Sequence, residues 1–223
     1  MTSERRYRHF CPMARALERV GERWALLVVR DLLPGPQRFT DLLSSCGGIT
    51  PRQLAARLRQ LEGDGIVERE ETPGRREVWY RLTEAGAALR PAVEGLLLWG
   101  VEHAGRPPAP QEPVSPYHVL NGTRLALAER ARAPGGAGLP ARALSWVWRF
   151  PEGAWTLRFD GQTWTLDPGE ASQADVVVET TPRAWATLVM SSGDERAPQS
   201  DALRLHGPPR RLQAFRAVFG LSA

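Results

Sequence analysis

The chain has no lysine. All 29 of its basic residues are arginine. This uniformity reads as a coding bias, and it accounts for the sequence pI near 9.8 without any functional reason. Only two cysteines occur, Cys11 and Cys46, too few for a disulfide scaffold. No run approaches the roughly 20 apolar residues that span a bilayer. The first residues, Met-Thr-Ser-Glu-Arg-Arg-Tyr-Arg, lack the apolar stretch of a secretory signal. A cytoplasmic location with no membrane partner is therefore expected. His9, His103, His118 and His206 are scattered without metal-ligand spacing. A glycine-rich phosphate loop and a nucleophile elbow are both missing. The expectation is no metal, no cofactor and no enzymatic activity. Excess charge of one sign is also missing. Residues 1–104 carry 16 arginines against 14 acids and the remainder 13 against 11, so only local clustering of arginine is informative.

One such cluster lies between Gly48 and Glu62. No acidic residue occurs from Leu42 to Leu61. Thr50 suits an N-cap, because its hydroxyl can accept from a free first-turn amide. Pro51 suits the first helical position, where no N–H is needed. Leu54, Leu58 and Leu61 fall on one side at helical spacing and face a core. Arg52, Ala56, Arg59 and Gln60 then point outward, while Arg57 falls nearer the leucines, where packing or an ion pair suits it. A helix with a carboxylate-free Arg/Gln face suits a DNA major groove, since Arg pairs with guanine and Gln with adenine.

Short helices precede this one. Met13 to Val20 is a short helix with Pro12 at its first turn, Trp24 to Leu33 is a nearly all-apolar buried helix, and Arg38 to Cys46 is a third. The runs Ile66 to Glu71 and Glu77 to Leu82 form a β-hairpin whose tip carries Arg75 and Arg76. Thr83 starts a long last helix with Leu89, Val93, Leu96, Leu97, Gly100 and Val101 as its stripe. Leu98 and Trp99 widen that stripe beyond the needs of a small domain, which predicts a partner helix and a homodimer.

The matching words are Cys11-Pro-Met, Gly21-Glu-Arg-Trp24, Leu27-Val-Val-Arg-Asp-Leu-Leu33, Arg38-Phe-Thr-Asp-Leu-Leu43, Ile49-Thr-Pro-Arg-Gln-Leu54, Arg57 to Val67, Tyr80 to Gly86 and Leu98-Trp-Gly100. In this order they resemble the HxlR-type branch of the MarR-like transcription regulators. The resemblance implies a winged helix-turn-helix and a dimer that binds promoter DNA. The candidate DNA-binding residues are Arg52, Gln53, Arg59 and Gln60 for groove contacts. Thr50 and its neighbouring amides are candidates for a phosphate, Arg38 for backbone phosphate, and Arg75 and Arg76 for a minor groove. The resemblance further implies that a cysteine near Cys11 can sense oxidants. Its place ahead of a helix start, with Arg8 and Arg15 near in sequence, suits a reactive thiol, and a buried inert thiol is the alternative. Cys46 is expected to serve packing only.

Gly105 to Pro116 is rich in proline and reads as a semi-rigid linker. A helix from Ser115-Pro116 to about Arg132 and a loop from Pro134 to Pro140 follow. The period then becomes two: Trp146, Trp148 and Phe150 share a face, as do Trp155, Leu157 and Phe159, and Trp164 and Leu166. Asp175 to Thr180 is a fourth strand. Thr181-Pro182 caps a helix bearing Trp185, and a strand and a helix end the chain. The pieces Asp175-Val-Val-Val-Glu-Thr-Thr, Ser192-Gly193, Leu203 to Leu205 and Leu212 to Phe219 resemble the sterol carrier protein type 2-like domain, with a departure at Asp194 to Asp201. The resemblance implies an α/β sandwich able to hold an apolar molecule, with Trp146, Trp148, Trp155, Trp164 and Trp185 as candidate ligand residues. Tryptophans that merely fill a core are the alternative.

The fold class expected is thus α+β. A winged helix-turn-helix domain (1–104), a linker (105–116) and a sterol carrier-like domain with a mainly antiparallel sheet (117–223) make up the chain. The function expected is a homodimeric regulator of double-stranded DNA with two half-sites, controlled by a small apolar effector. The alternatives are a lipid carrier or enzyme whose winged helix serves protein contacts, and a thiol redox-sensing regulator acting through Cys11.

Overall fold

The computed structural model describes residues 7–8, 10–71, 77–132, 142–191 and 203–221. The chain divides into two compact units, Met1–Leu96 and Leu97–Ala223.

In the first unit, α1 (Pro12–Val20), α2 (Ala25–Leu32), β1 (Gln37–Arg38), α3 (Phe39–Ser45) and α4 (Pro51–Gly63) precede a hairpin of β2 (Val67–Glu71) and β3 (Val78–Leu82). The sheet order is β1-β3-β2, with Arg38 opposite Trp79 and Val67 opposite Leu82. The two-residue β1 was not expected from the sequence. It forms because Gln37 and Arg38 meet the free edge of β3. The core is aliphatic: Val28 and Val29 of α2, Leu42 of α3, and Leu54, Leu58 and Leu61 of α4 are all buried. Each such side chain contributes roughly 1.5–3 kcal/mol by leaving water.

The long last helix expected from Thr83 is instead two pieces, α5 (Glu84–Ala87) and α6 (Arg90–Ala104). Pro91 explains the break, because it has no N–H to offer the Ala87 carbonyl. Thr83 caps α5 by accepting from the Gly86 amide. Gly86 is required there, since a Cβ would stand 2.1 Å from the Ile66 carbonyl oxygen.

The second unit contains α7 (Pro116–Arg132), β4 (Leu144–Phe150), β5 (Gly153–Phe159), β6 (Trp164–Pro168), β7 (Val176–Thr180), α8 (Pro182–Met190), β8 (Leu203–His206) and α9 (Pro209–Phe219). The strand order is β6-β5-β4-β7-β8, with β4 and β7 parallel and every other pair antiparallel. The register places Trp146 opposite Leu157, Trp148 opposite Trp155, and Phe159 opposite Trp164. The period-two reading of these strands is therefore the observed one. The apolar face packs against Leu120 and Leu127 of α7, Trp185 of α8 and Phe215 of α9. The expected 134–140 loop and the departure at Asp194 to Asp201 lie outside the described residues.

The proline-rich stretch after α6 is not a free spacer. The Arg183 guanidinium on α8 donates to the carbonyls of Pro108, Ala109, Pro110 and Glu112, at 3.3, 2.8, 3.2 and 2.5 Å. Arg106 pairs with Glu112, which also accepts from the Ala109 amide at 2.8 Å. That pairing holds the Glu112 carboxyl below its ordinary range.

Candidate nucleic-acid interface

The helix α4 begins where the sequence predicts. The Thr50 Oγ1 accepts from the Gln53 amide at 3.2 Å, and the Gln53 Oε1 accepts from the Thr50 amide at 2.9 Å. This reciprocal box satisfies two amides that the first turn leaves without helical partners. It also narrows the expected phosphate site. Pro51 has no N–H and the Thr50 and Gln53 amides are engaged, which leaves the Arg52 amide in that turn.

The outward face is narrower than the sequence suggests. Arg52, Gln53, Ala56 and Arg59 are exposed. Among the described residues, no ion pair or side-chain hydrogen bond engages Arg52 or Arg59. Gln53 lends its carbonyl oxygen to the cap. Gln60 corrects the expectation. It is half-buried and turned toward α1, where its Nε2 donates to the Arg19 carbonyl at 3.3 Å and its Oε1 accepts from Arg57. At its position on the helix it flanks Leu61, so the neighbouring end of α1 captures it. Arg57 takes the ion-pair role, reaching Glu22 at 3.2 Å with a side chain only 14% exposed.

Arg38 is engaged within the wing. Its guanidinium lies 4.7 Å from the Trp79 ring centroid and 2.9 Å from Glu77, and its backbone amide donates to Asp41 at the start of α3. A cation stacked on indole and paired with a carboxylate is held in place. A phosphate would have to compete with Glu77 for it. The strands of the wing carry further acids, with Arg81 beside Glu68 and Glu70, and Arg69 beside Glu71. Arg75 and Arg76 lie outside the described residues.

Two features of the first unit escaped the sequence reading. Trp24, the residue before α2, has φ 77°, in the left-handed region. A bulky residue there costs on the order of 1–3 kcal/mol. Its indole lies against the turn before α4, with Cη2 3.9 Å from where a Cβ on Gly48 would stand. Gly48 itself has φ 89°, which glycine tolerates. The second feature is a buried carboxylate. Asp31 Oδ1 accepts from Arg30 at 2.7 Å, while Oδ2 accepts from Ser45 and, at 3.3 Å, from the Cys46 thiol. Burial first, and then the adjacent Asp31 charge, push the Cys46 thiol from 9.0 to about 12. It is protonated at neutral pH. Cys11 is the N-cap of α1 and is half-buried.

Apolar side chains remain uncovered on two helices. Phe10 and Met13 at the start of α1 are 85% and 70% exposed, and Leu96 and Trp99 on α6 are also exposed.

In the second unit, Trp146, Trp148, Trp164 and Trp185 are buried, and Trp155 is half-buried against Tyr117. Trp146, Trp148, Trp164 and Trp185 form one aromatic cluster with Phe215 and Phe219. The Trp185 Nε1 donates to the Thr123 Oγ1 at 3.1 Å, whereas the buried Nε1 atoms of Trp148 and Trp164 have no acceptor among the described residues. Among the described residues no group of His, Cys, Asp and Glu could hold a metal ion, and no helix is long and apolar enough to cross a membrane.

A family model described as HxlR-like helix-turn-helix matches residues 19–107. An uncharacterized HTH-type transcriptional regulator of Mycobacterium tuberculosis is 44% identical over 101 residues, which cover 44% of this chain and 62% of the relative. The chain thus spans less than two thirds of that relative's length. The HTH-type transcriptional regulator YodB of Bacillus subtilis is 39% identical over 93 residues, which cover 40% of this chain and 81% of YodB. A solved structure of the redox regulator HypR in its oxidised form shares 36% identity, covering 42% of this chain and 97% of that one, with a TM-score of 0.40. The aligned identity and the matched helix-turn-helix model together mean that this chain belongs to the HxlR-like helix-turn-helix family of transcriptional regulators.

Proposed function

We propose that the protein is a homodimeric regulator that reads double-stranded DNA with the outward face of α4. The observation that carries this reading is the exposed pair Arg52 and Arg59, which no ion pair or side-chain hydrogen bond engages among the described residues, on a capped helix whose opposite side is locked into the core. Free guanidinium groups on a rigid helix can pair with guanine edges and phosphates. Gln53 contributes its side-chain amide nitrogen, which no hydrogen bond engages among the described residues. Arg38, Arg75 and Arg76 are the wing contacts, to backbone phosphate and minor groove. The uncovered apolar side chains of α1 and α6 support a second copy as their partner. Two-fold symmetry would then place two DNA half-sites about one helical turn apart.

Residues 1–104 serve as the DNA-binding and dimerisation domain. Residues 117–223 form a sterol carrier-like domain that takes a small apolar effector among Trp146, Trp148, Trp155, Trp164 and Trp185. The Trp148 and Trp164 indole N–H groups, which find no acceptor among the described residues, support this, because a buried donor left unpaired costs roughly 1–3 kcal/mol and a ligand oxygen would satisfy it. The effector must bind one dimer geometry better than the other to transmit anything.

The test is native mass spectrometry of the full chain purified from its own host, followed by selection of duplexes from a random-sequence pool at two salt concentrations. The reading expects a dimer, a co-purified small molecule and selective binding that weakens steeply with salt. A bare monomer with no duplex preference would overturn it. A second reading, thiol control, rests on Cys11 being the more open of the two cysteines. It expects DNA release on mild oxidation, abolished in Cys11→Ser.

A further inference from the structure

The end of α1 and the turn into α2 meet the second half of α4 and the turn that precedes it. At the start of α4, the Trp24 indole lies against the Gly48 turn, two residues before the Thr50 cap. In the middle, Glu22 receives Arg57 at 3.2 Å. At the far end, the Arg19 carbonyl accepts from Gln60 at 3.3 Å, and the Arg19 guanidinium donates to the Asp64 carbonyl at 3.0 Å. Arg57 and Gln60 are bonded to each other, so the middle and end contacts form one network. A thirteen-residue helix is about 20 Å long, so these points fix both its tilt and its roll. The leucine stripe alone would not, because an apolar seam is non-directional and tolerates rotation about the helix axis. Trp24, with its left-handed backbone, lies two residues after Glu22 in this same turn, so the Gly48 contact and the Glu22–Arg57 pair spring from one short segment.

We infer that Arg19, Glu22 and Trp24 are positioning residues for DNA recognition, holding the Arg52–Arg59 face at the angle the groove requires without touching DNA. The inference rests on the reading of α4 as the recognition helix. Polar bonds between α1 and α4 also make the two helices move as one body, so that whatever displaces α1 displaces the reading face.

A charge exchange tests it in the full-length protein. Glu22→Arg, Arg57→Glu and the double variant are compared on a duplex selected by the wild type from a random pool, and on a scrambled duplex of equal length. Simple electrostatics would tighten both duplexes for Glu22→Arg and weaken both for Arg57→Glu. Positioning instead predicts that the ratio of selected to scrambled affinity falls about fivefold in each single variant, within the coupling range of one bonded network. The double variant, with unchanged net charge, restores the share of the ratio that the pair of residues 22 and 57 carries, while the bond that Arg57 gives the Gln60 Oε1 stays lost. Thermal melts of each variant separate this from unfolding. Glu22→Gln supplies the milder version should an exchange melt early, with a smaller fall in the same ratio expected. An unchanged ratio in the single variants, or a fall that the double variant leaves in place, overturns the inference even where Arg52→Ala still abolishes selectivity. A wild type with no preference between the duplexes overturns the reading of α4 itself, and this inference with it.

Discussion

Removing the hydroxyl at the start of α4 should loosen that helix by a calculable amount. In Thr50→Ala the Gln53 amide loses its acceptor, and the Gln53 side chain loses the hydroxyl that lies 2.9 Å from its Oε1. The Thr50 amide keeps its bond to Gln53. Replacing a threonine cap by alanine typically costs about 1 kcal/mol. At RT near 0.6 kcal/mol, that is about a fivefold rise in the open population of the first turn. Hydrogen exchange read by mass spectrometry on peptides covering α4 measures this locally, without interference from the second unit. Exchange in the first turn should accelerate about fivefold, and Thr50→Ser should hold it near the wild-type rate. Gln53→Ala alone should cost less. Combined with Thr50→Ala it should add less than its own effect, because both substitutions break the same box. Unchanged exchange in Thr50→Ala, or full additivity in the pair, would refute the capping argument.

Three further outcomes are expected. Arg52→Ala and Arg59→Ala should each weaken selected-duplex binding by about 1–3 kcal/mol per half-site if they meet bases, and a phosphate contact should instead lower the salt slope by about one; unchanged affinity in both removes the site assignment. Cys46 binds its proton more tightly folded, with a folded value of about 12 against 9.0. Its contribution to stability is therefore complete below pH 9 and is lost as the pH rises toward 12. Urea midpoints measured across that window should fall more steeply for the wild type than for Cys46→Ala, and parallel curves would contradict the assignment. Arg183→Ala leaves the four carbonyls of residues 108–112 without their shared donor. Hydrogen exchange and proteolysis in that stretch should then increase, and an unchanged proteolytic pattern would show that the docking does not depend on Arg183.

Much of this molecule is written locally in its sequence. The box between Thr50 and Gln53 involves residues three apart, and the stripe of Leu54, Leu58 and Leu61 follows from helical period, so α4 and its buried side were legible at once. The period-two tryptophans likewise announced β4 to β6, because alternation on a strand fixes which side chains share a face. The break at Pro91 is as local, yet the apolar stripe running past it predicted one long helix where the structure has α5 and α6.

What tertiary structure decided was the engagement of each polar group. Gln60 stands at a position that period alone leaves open, and the end of α1, 41 residues earlier, took it from the outward face. Arg38 is an unremarkable surface arginine until β1 pairs with β3 and brings Trp79 beneath it. The proline-rich stretch reads as a spacer until Arg183, more than 70 residues later, collects its carbonyls. The physical reason is common to all three. Caps, periods and breaks depend on neighbours in the chain, whereas an unpaired donor binds whichever acceptor the completed fold brings within about 3 Å.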